Sequence, residues 1–267
     1  MKTSLARAAL LTLCASSMRA QTAAAPSLFT RTDLYWSAAF VAGSIALSTA
    51  DVRITRKMLD TSVQSDQLSN IARNLAKLQE GTLTVSNVAL YAIARLTKAH
   101  SMADITFHAA ESVVIGSGAS QLVRGPLGRS RPYVTNNSDQ YDFHPFQGFT
   151  KFDYRAFPSI HTASAFAVAT VYTLETKRRA PGATWIVAPI AYAIAAGPGI
   201  ARLYQGQHWA SDIFSGAFVG VLAGAKVMRY NHEVNPNNRV NRFFLGAKNV
   251  QLGLGATGVN VAYLRVF

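Results

Sequence analysis

Residues 34–50 carry no charge and are dominated by apolar side chains, and Asp51, Arg53, Arg56 and Lys57 follow at once. That pattern predicts a buried or membrane-facing helix running into a polar stretch. Residues 66–79 are polar but compatible with a helix, and 81–99 and 102–123 continue as helical segments rich in Ala, Leu and Val. Residues 125–157 then collect Gly, Pro, Asn and aromatics in a loop too long to be a mere connector. Helix resumes at Ser159, where Pro158 stops the preceding chain and the serine hydroxyl can cap the new helix, predicted to run to about Thr176. A further helix is expected over 184–196, with Gly197-Pro198-Gly199 as a breaker, and the last one continues through 213–229. Beyond Pro236 the texture changes. Residues 242–267 alternate, with glycines interspersed, and predict a β-hairpin turning near Ala256-Thr257-Gly258. The fold class expected is therefore all-α, a helical bundle with its active site between helices, plus a short C-terminal β-hairpin.

Composition narrows this reading. The chain has 267 residues, 49% hydrophobic and only 15% charged, with a mean hydropathy of +0.14. That length suits one large domain with short appendages. The longest uncharged stretches, 180–201 and 156–174, are broken by three prolines and by His161 respectively, and 213–225 is short for a span of about 20 residues. A compact helical domain with partial membrane contact is expected in preference to a polytopic protein. The formal charge is +13. No nucleic-acid module accompanies it, and the longest basic run is Lys177-Arg178-Arg179. Such an excess fits phosphorylated substrates or an anionic membrane, with no nucleic-acid partner.

The first residues read as an export signal: Lys2 and Arg7, a short apolar stretch over 8–15, and Ala20 before a plausible cleavage point. The expected layout is a signal peptide over 1–20, a flexible lead-in over 21–33, a helical domain over 34–235 and a tail over 236–267. The protein is expected to be exported, periplasmic or membrane-associated. Cys14 is the only cysteine, which excludes disulfides within one chain.

Three short pieces carry the candidate chemistry. They are Arg124-x6-Arg131-Pro132, Pro158-Ser159-Ile160-His161 and Arg202-x5-His208-x3-Asp212. Their arginines, histidines, serine and carboxylate suit a phosphoryl group: guanidinium forks neutralise oxygens, one His attacks, another protonates and an Asp orients. The third motif is expected on the helix that continues through 213–229, so His208 and Asp212, four apart, share one helical face.

In order and spacing these pieces resemble the type 2 phosphatidic acid phosphatase superfamily, shared with bacterial acid phosphatases and vanadium haloperoxidases. The resemblance covers roughly residues 85–230. The sequence departs from the family pattern at Arg124, where Lys is usual, at Ile160 in place of Gly, and at Ala201 in place of Ser. The resemblance implies a phosphatase acting on phosphomonoesters or lipid (pyro)phosphates through a phosphohistidine. His208 would be the nucleophile, His161 the acid for the leaving oxygen and Asp212 the orienting carboxylate. Arg124, Arg131 and Arg202, with Ser159 and the Ile160 amide, would bind the phosphate. A vanadate-dependent haloperoxidase and a degenerate phosphate-binding protein are the alternatives. His100, His108, His144 and His232 have no place in the motifs, and Asp139 and Asp142 read as turn residues. No grouping along the chain has metal-ligand spacing, so no metal or cofactor is expected.

Overall fold

The structure is a computed structural model that describes residues 26–246 and the backbone of two strands beyond them. The expected leader and most of the lead-in lie outside the described residues. Among these, the body is helical: α1 (Arg31–Ser48), α2 (Asp51–Met58), α3 (Asp66–Leu75), α4 (Glu80–Leu96), α5 (His100–Leu127), α6 (Ile160–Arg179), α7 (Thr184–Tyr204), α8 (Ala210–Arg229) and α9 (Arg239–Leu245). In the tail, Lys248–Gly255 and Gly258–Arg265 run antiparallel with Gly255 opposite Gly258. The side chains there lie outside the described residues.

Local chemistry explains most boundaries. Thr30 and Asp33 form a capping box at the start of α1. Ser65 and Ser159 cap α3 and α6 through their hydroxyls. α5 ends on Gly128 at φ 60°, where a side chain would collide with the His144 carbonyl. That left-handed residue turns the chain out of α5 and into the long segment that precedes α6.

Two expectations need correction. Gly197-Pro198-Gly199 does not break a helix, because α7 runs through it to Tyr204. Gly199 instead permits close packing: a Cβ there would lie 2.7 Å from Ile213 and 2.8 Å from the Thr162 hydroxyl. Helix also persists through Pro126, so the loop begins at Gly128 rather than at 125.

α6 and α8 form the centre, and α5, α7 and α1 pack around them. Gly216, Gly220 and Gly224 recur every fourth residue on α8. A Cβ on them would meet the backbone oxygens of Ser159, Ala163 and Ala167 at 2.4, 2.2 and 2.7 Å. Small residues at this spacing let two helix backbones approach closely, as membrane helices do. The interior is correspondingly small and polar: Ala163, Ser164, Ala167 and Thr170 are all buried.

The large apolar residues face outward. Leu34, Trp36 and Ile45 on α1, Val114 and Leu122 on α5, and Trp185, Ile190 and Ile194 on α7 are all exposed. Soluble proteins rarely show so much contiguous exposed apolar surface. Two helical stretches, Pro181–Tyr204 and Ala210–Val234, are long and apolar enough to cross a membrane. A third such span exists if Arg31–Ser48 and Asp51–Met58, bent by 61°, are one. The protein is membrane-associated in character.

Candidate active site

Arg124 comes from the last turn of α5, and Arg131 from just past the Gly128 turn. Ser159, Ile160 and His161 open α6, while Arg202 ends α7. His208 lies in the α7–α8 connection, and Asp212 is in the first turn of α8. Here the sequence expectation of one helix for the third motif is corrected. Arg202 closes one helix, Asp212 opens the next, and His208 belongs to neither. The chain turns through Gly206 at φ 64° to make the break.

The motifs nevertheless converge. Arg124, Arg131, Ile160, His161 and Arg202 line a polar cavity of about 250 Å³ together with Glu80 and Arg155. Arg131 lies over the Phe152 ring at 3.8 Å and donates to the Phe152 carbonyl through Nε. The side-chain oxygen of Gln207 receives Arg131 at 2.9 Å and Arg202 at 3.3 Å. Arg124 donates to Gln121. The Ser159 hydroxyl accepts from the Thr162 amide and hydroxyl, so it acts first as a helix cap. Ile160 is buried, and its β-branched side chain stands where the family pattern has Gly.

His208 sits one layer deeper and is fully buried, with its ring 6.2 Å from that of His161. Its Nδ1 lies 3.5 Å from an Asp212 oxygen. Burial pushes the His208 imidazole well below the ordinary histidine range, and Arg131 and Arg202 push the same way. Burial, then His208 and the three arginines, push His161 down to about 3. Burial and Arg202 lower Arg131 to about 10, which still leaves it cationic at neutral pH. Burial and the neighbouring arginines thus hold both histidines toward the neutral form.

Asp212 is held from behind by residues the motif reading passed over. One carboxylate oxygen takes Arg129 at 2.6 Å, and the other takes the Trp209 amide at 2.7 Å, closing the first turn of α8. Arg129 reaches Asp51 at 2.9 Å with its other arm and donates to Ser211 and to the Gln140 carbonyl. Arg129 is 3% exposed, and Asp51 and Asp212 are wholly buried. The signal was present twice: Arg129 stands inside the first motif, and Asp51 ends the long apolar run. Gln207 likewise stands inside the third motif, and Glu80 gave no comparable signal.

No grouping at the cavity has a metal-ligand set among the described residues. One exists elsewhere, formed by His108, Glu175 and His232. Linear spacing hid it because its members come from three separate helical elements. Glu175 follows His161 by fourteen residues on α6, or about 21 Å along the helix axis.

Residues 105–236 match the family described as the PAP2 superfamily, a span that takes in all three motifs. The chain carries a PAP2 superfamily domain. The lipid A 1-phosphatase of Porphyromonas gingivalis is 45% identical over 69 residues, which are 26% of this chain and 15% of that protein. The chain therefore spans well under two thirds of that curated relative. Among solved structures, the transmembrane PAP2-type phosphatidylglycerolphosphate phosphatase of Bacillus subtilis shares the fold. Its TM-score is 0.51 at 18% identity, covering 74% of this chain and 96% of that one. The LpxE structure of Aquifex aeolicus is similar at a TM-score of 0.47 and 20% identity, covering 67% and 95%.

Proposed function

We propose that this PAP2 domain is a phosphatase that hydrolyses lipid phosphate or diphosphate esters at the membrane surface, with His208 as nucleophile. The observation that carries the reading is the convergence of Arg124, Arg131, Arg202 and His161 on one polar cavity with His208 and Asp212 directly behind. Three guanidinium groups supply the charge that a trivalent phosphoryl group develops in transfer, in place of a metal. The Gln207 oxygen, caught between Arg131 and Arg202, occupies the kind of position a phosphate oxygen would take. A phosphate that displaced it would gain two charge-assisted donors and open the approach to His208.

In the proposed cycle Asp212 fixes His208 through Nδ1, which leaves Nε2 to attack phosphorus. The P–O bond to the leaving group breaks as the P–N bond forms, and His161 relays the proton carried in by the substrate monoanion to the departing alkoxide. Water then attacks the phosphohistidine, gives its proton to His161 and releases phosphate. The 45% match to a lipid A 1-phosphatase and the outward apolar faces of α1, α5 and α7 support an amphipathic phosphate ester as substrate. The basic and apolar composition of residues 1–20 supports export.

The test is phosphate release in EDTA from phosphatidate, a polyprenyl diphosphate and p-nitrophenyl phosphate. Release from at least one lipid substrate, with His208→Ala reducing turnover by several orders of magnitude, is the expected result. Wild-type protein that binds phosphate without releasing it from any ester would make this a binding protein instead.

A further inference from the structure

The cluster of His108, Glu175 and His232 lies outside the phosphate cavity and has no part in the cycle above. His108 comes from the middle of α5, Glu175 from the last turns of α6, and His232 from the π-helical turn Tyr230–Val234 that prolongs α8. The His108 and Glu175 side chains are fully buried, and that of His232 is 7% exposed. One donor atom from each lies within 4.8 Å of the other two. His232 Nε2 is 2.7 Å and His108 Nδ1 is 3.9 Å from the same Glu175 oxygen.

We propose that these three side chains bind a divalent transition metal, zinc by preference, as a structural clasp between the end of α8 and the α5–α6 pair. Two imidazoles and one carboxylate are a donor set that zinc accepts, with a water molecule completing the fourth position. A tetrahedral shell with bonds of about 2.0–2.1 Å spaces its donor atoms roughly 3.3 Å apart, between the 2.7 and 3.9 Å that separate the Glu175 oxygen from His232 and His108. The surroundings orient the donors. The other His108 nitrogen meets the Asn241 side-chain oxygen at 3.4 Å, and that turns Nδ1 toward Glu175. Asn241 is itself bonded to Asn231 and Asn238. This outer shell is of the kind that fixes metal-binding histidines. The second Glu175 oxygen is engaged by Arg179 at 2.7 Å, and the first, which faces both histidines, also meets Arg178 at 3.5 Å.

Two cations stand nearby and decide whether the ion fits. Arg179 shares its charge with Asp104 at 3.2 Å. Arg178 contacts the His232 ring at 2.9 Å and would have to withdraw, which its half-exposed side chain can do into solvent. The alternative is a metal-free network in which Arg178 and Arg179 neutralise Glu175.

The experiment strips the full-length protein in detergent with a chelator and adds Co²⁺ or Zn²⁺. The clasp predicts one equivalent bound, a tetrahedral Co²⁺ absorption band and a higher thermal midpoint with Zn²⁺. His232→Ala, at the edge of the cluster, should abolish band and thermal shift together, and His232→Cys should keep both. p-Nitrophenyl phosphate hydrolysis at low temperature should not depend on the ion. That separates the clasp from any failure of the phosphatase reading. Absence of the band in wild-type protein, or a band unchanged by His232→Ala and by His108→Gln, would overturn the assignment.

Discussion

Arg129 offers the sharpest test of how the site is held. It carries the only guanidinium between Asp51 and Asp212 among the described residues, at 2.9 and 2.6 Å, and all three groups are removed from solvent. Replacing it with alanine leaves two buried carboxylates facing each other's field with no cation between them. Removing one partner of a buried ion pair costs about 3–5 kcal/mol, because the remaining charge stays desolvated. For a domain of this size each kcal/mol lowers the thermal midpoint by about 2–4 °C, so Arg129→Ala should melt about 6–20 °C below wild type. Turnover should fall as well, because Asp212 loses the contact that keeps its other oxygen aimed at the Trp209 amide and at His208.

Thermal unfolding in detergent and phosphate release provide the two readouts, and a second substitution separates them. Asp51→Asn removes the far carboxylate but leaves Arg129 on Asp212, so it should lower the midpoint with little loss of turnover. Combining Arg129→Ala with Asp51→Asn should cost less than the sum of the two, because the double variant buries one orphan charge fewer. An Arg129→Ala protein that melts within about 2 °C of wild type would show that the network carries no such energy. Strictly additive losses would show that Asp51 and Asp212 do not share Arg129 at all.

Three further outcomes follow from the geometry. Glu80→Gln removes a negative charge from the cavity of Arg124, Arg155 and Arg202; inhibition by phosphate or vanadate should tighten roughly two- to fivefold, and unchanged inhibition would place Glu80 outside the field the anion feels. Gly220→Ala pushes a Cβ to 2.2 Å from the Ala163 oxygen and should cost about 1–3 kcal/mol, whereas Gly118→Ala, which meets nothing within 4 Å, should be neutral or stabilising by the same melting assay. With His161 held down to about 3, the free enzyme is unprotonated there between that value and the ordinary histidine range near 6.5, so the leaving group's proton must arrive with the substrate monoanion; kcat/KM should fall as pH rises through the substrate's second phosphate pKa, about 6, and a basic limb that stays put when that pKa is changed would refute this.

The helical class and the meeting of the three motifs were legible because they depend on residue type and order. Arg124, Arg131, His161, Arg202, His208 and Asp212 all arrive at one place. What the chain did not disclose was how they arrive. The i, i+4 spacing of His208 and Asp212 suggests one helical face, yet the chain breaks between them and Asp212 serves α8 as an N-terminal cap. Spacing reports distance along the chain, and an extended Trp209 leading into the first turn of α8 brings His208 and Asp212 together as well as a helix does. The Gly-Pro-Gly of α7 misled for a related reason. In water such a triplet ends a helix, but where neighbouring helices cover the backbone, glycine is a contact surface and proline is tolerated. Arg129 and Asp51, 78 residues apart, could be paired only in three dimensions.

The same inversion of surface and core ties fold to chemistry. A bundle whose outer faces are covered by lipid gains little by hiding leucine, so its helices can bring small and polar residues together instead. On α8 this is the alternation of Gly216, Gly220 and Gly224, which draws the helix onto the backbone of α6. That close approach fixes the start of α8 against the start of α6, where the Ser159 amide donates to the Asp212 carbonyl at 3.0 Å. His161 follows Ser159 by two residues, and the Asp212 side chain faces His208. The glycine stripe thereby bears on the separation of His161 and His208, whose rings lie 6.2 Å apart. A substitution there should disturb the leaving-group step and the attack together, long before it unfolds the domain.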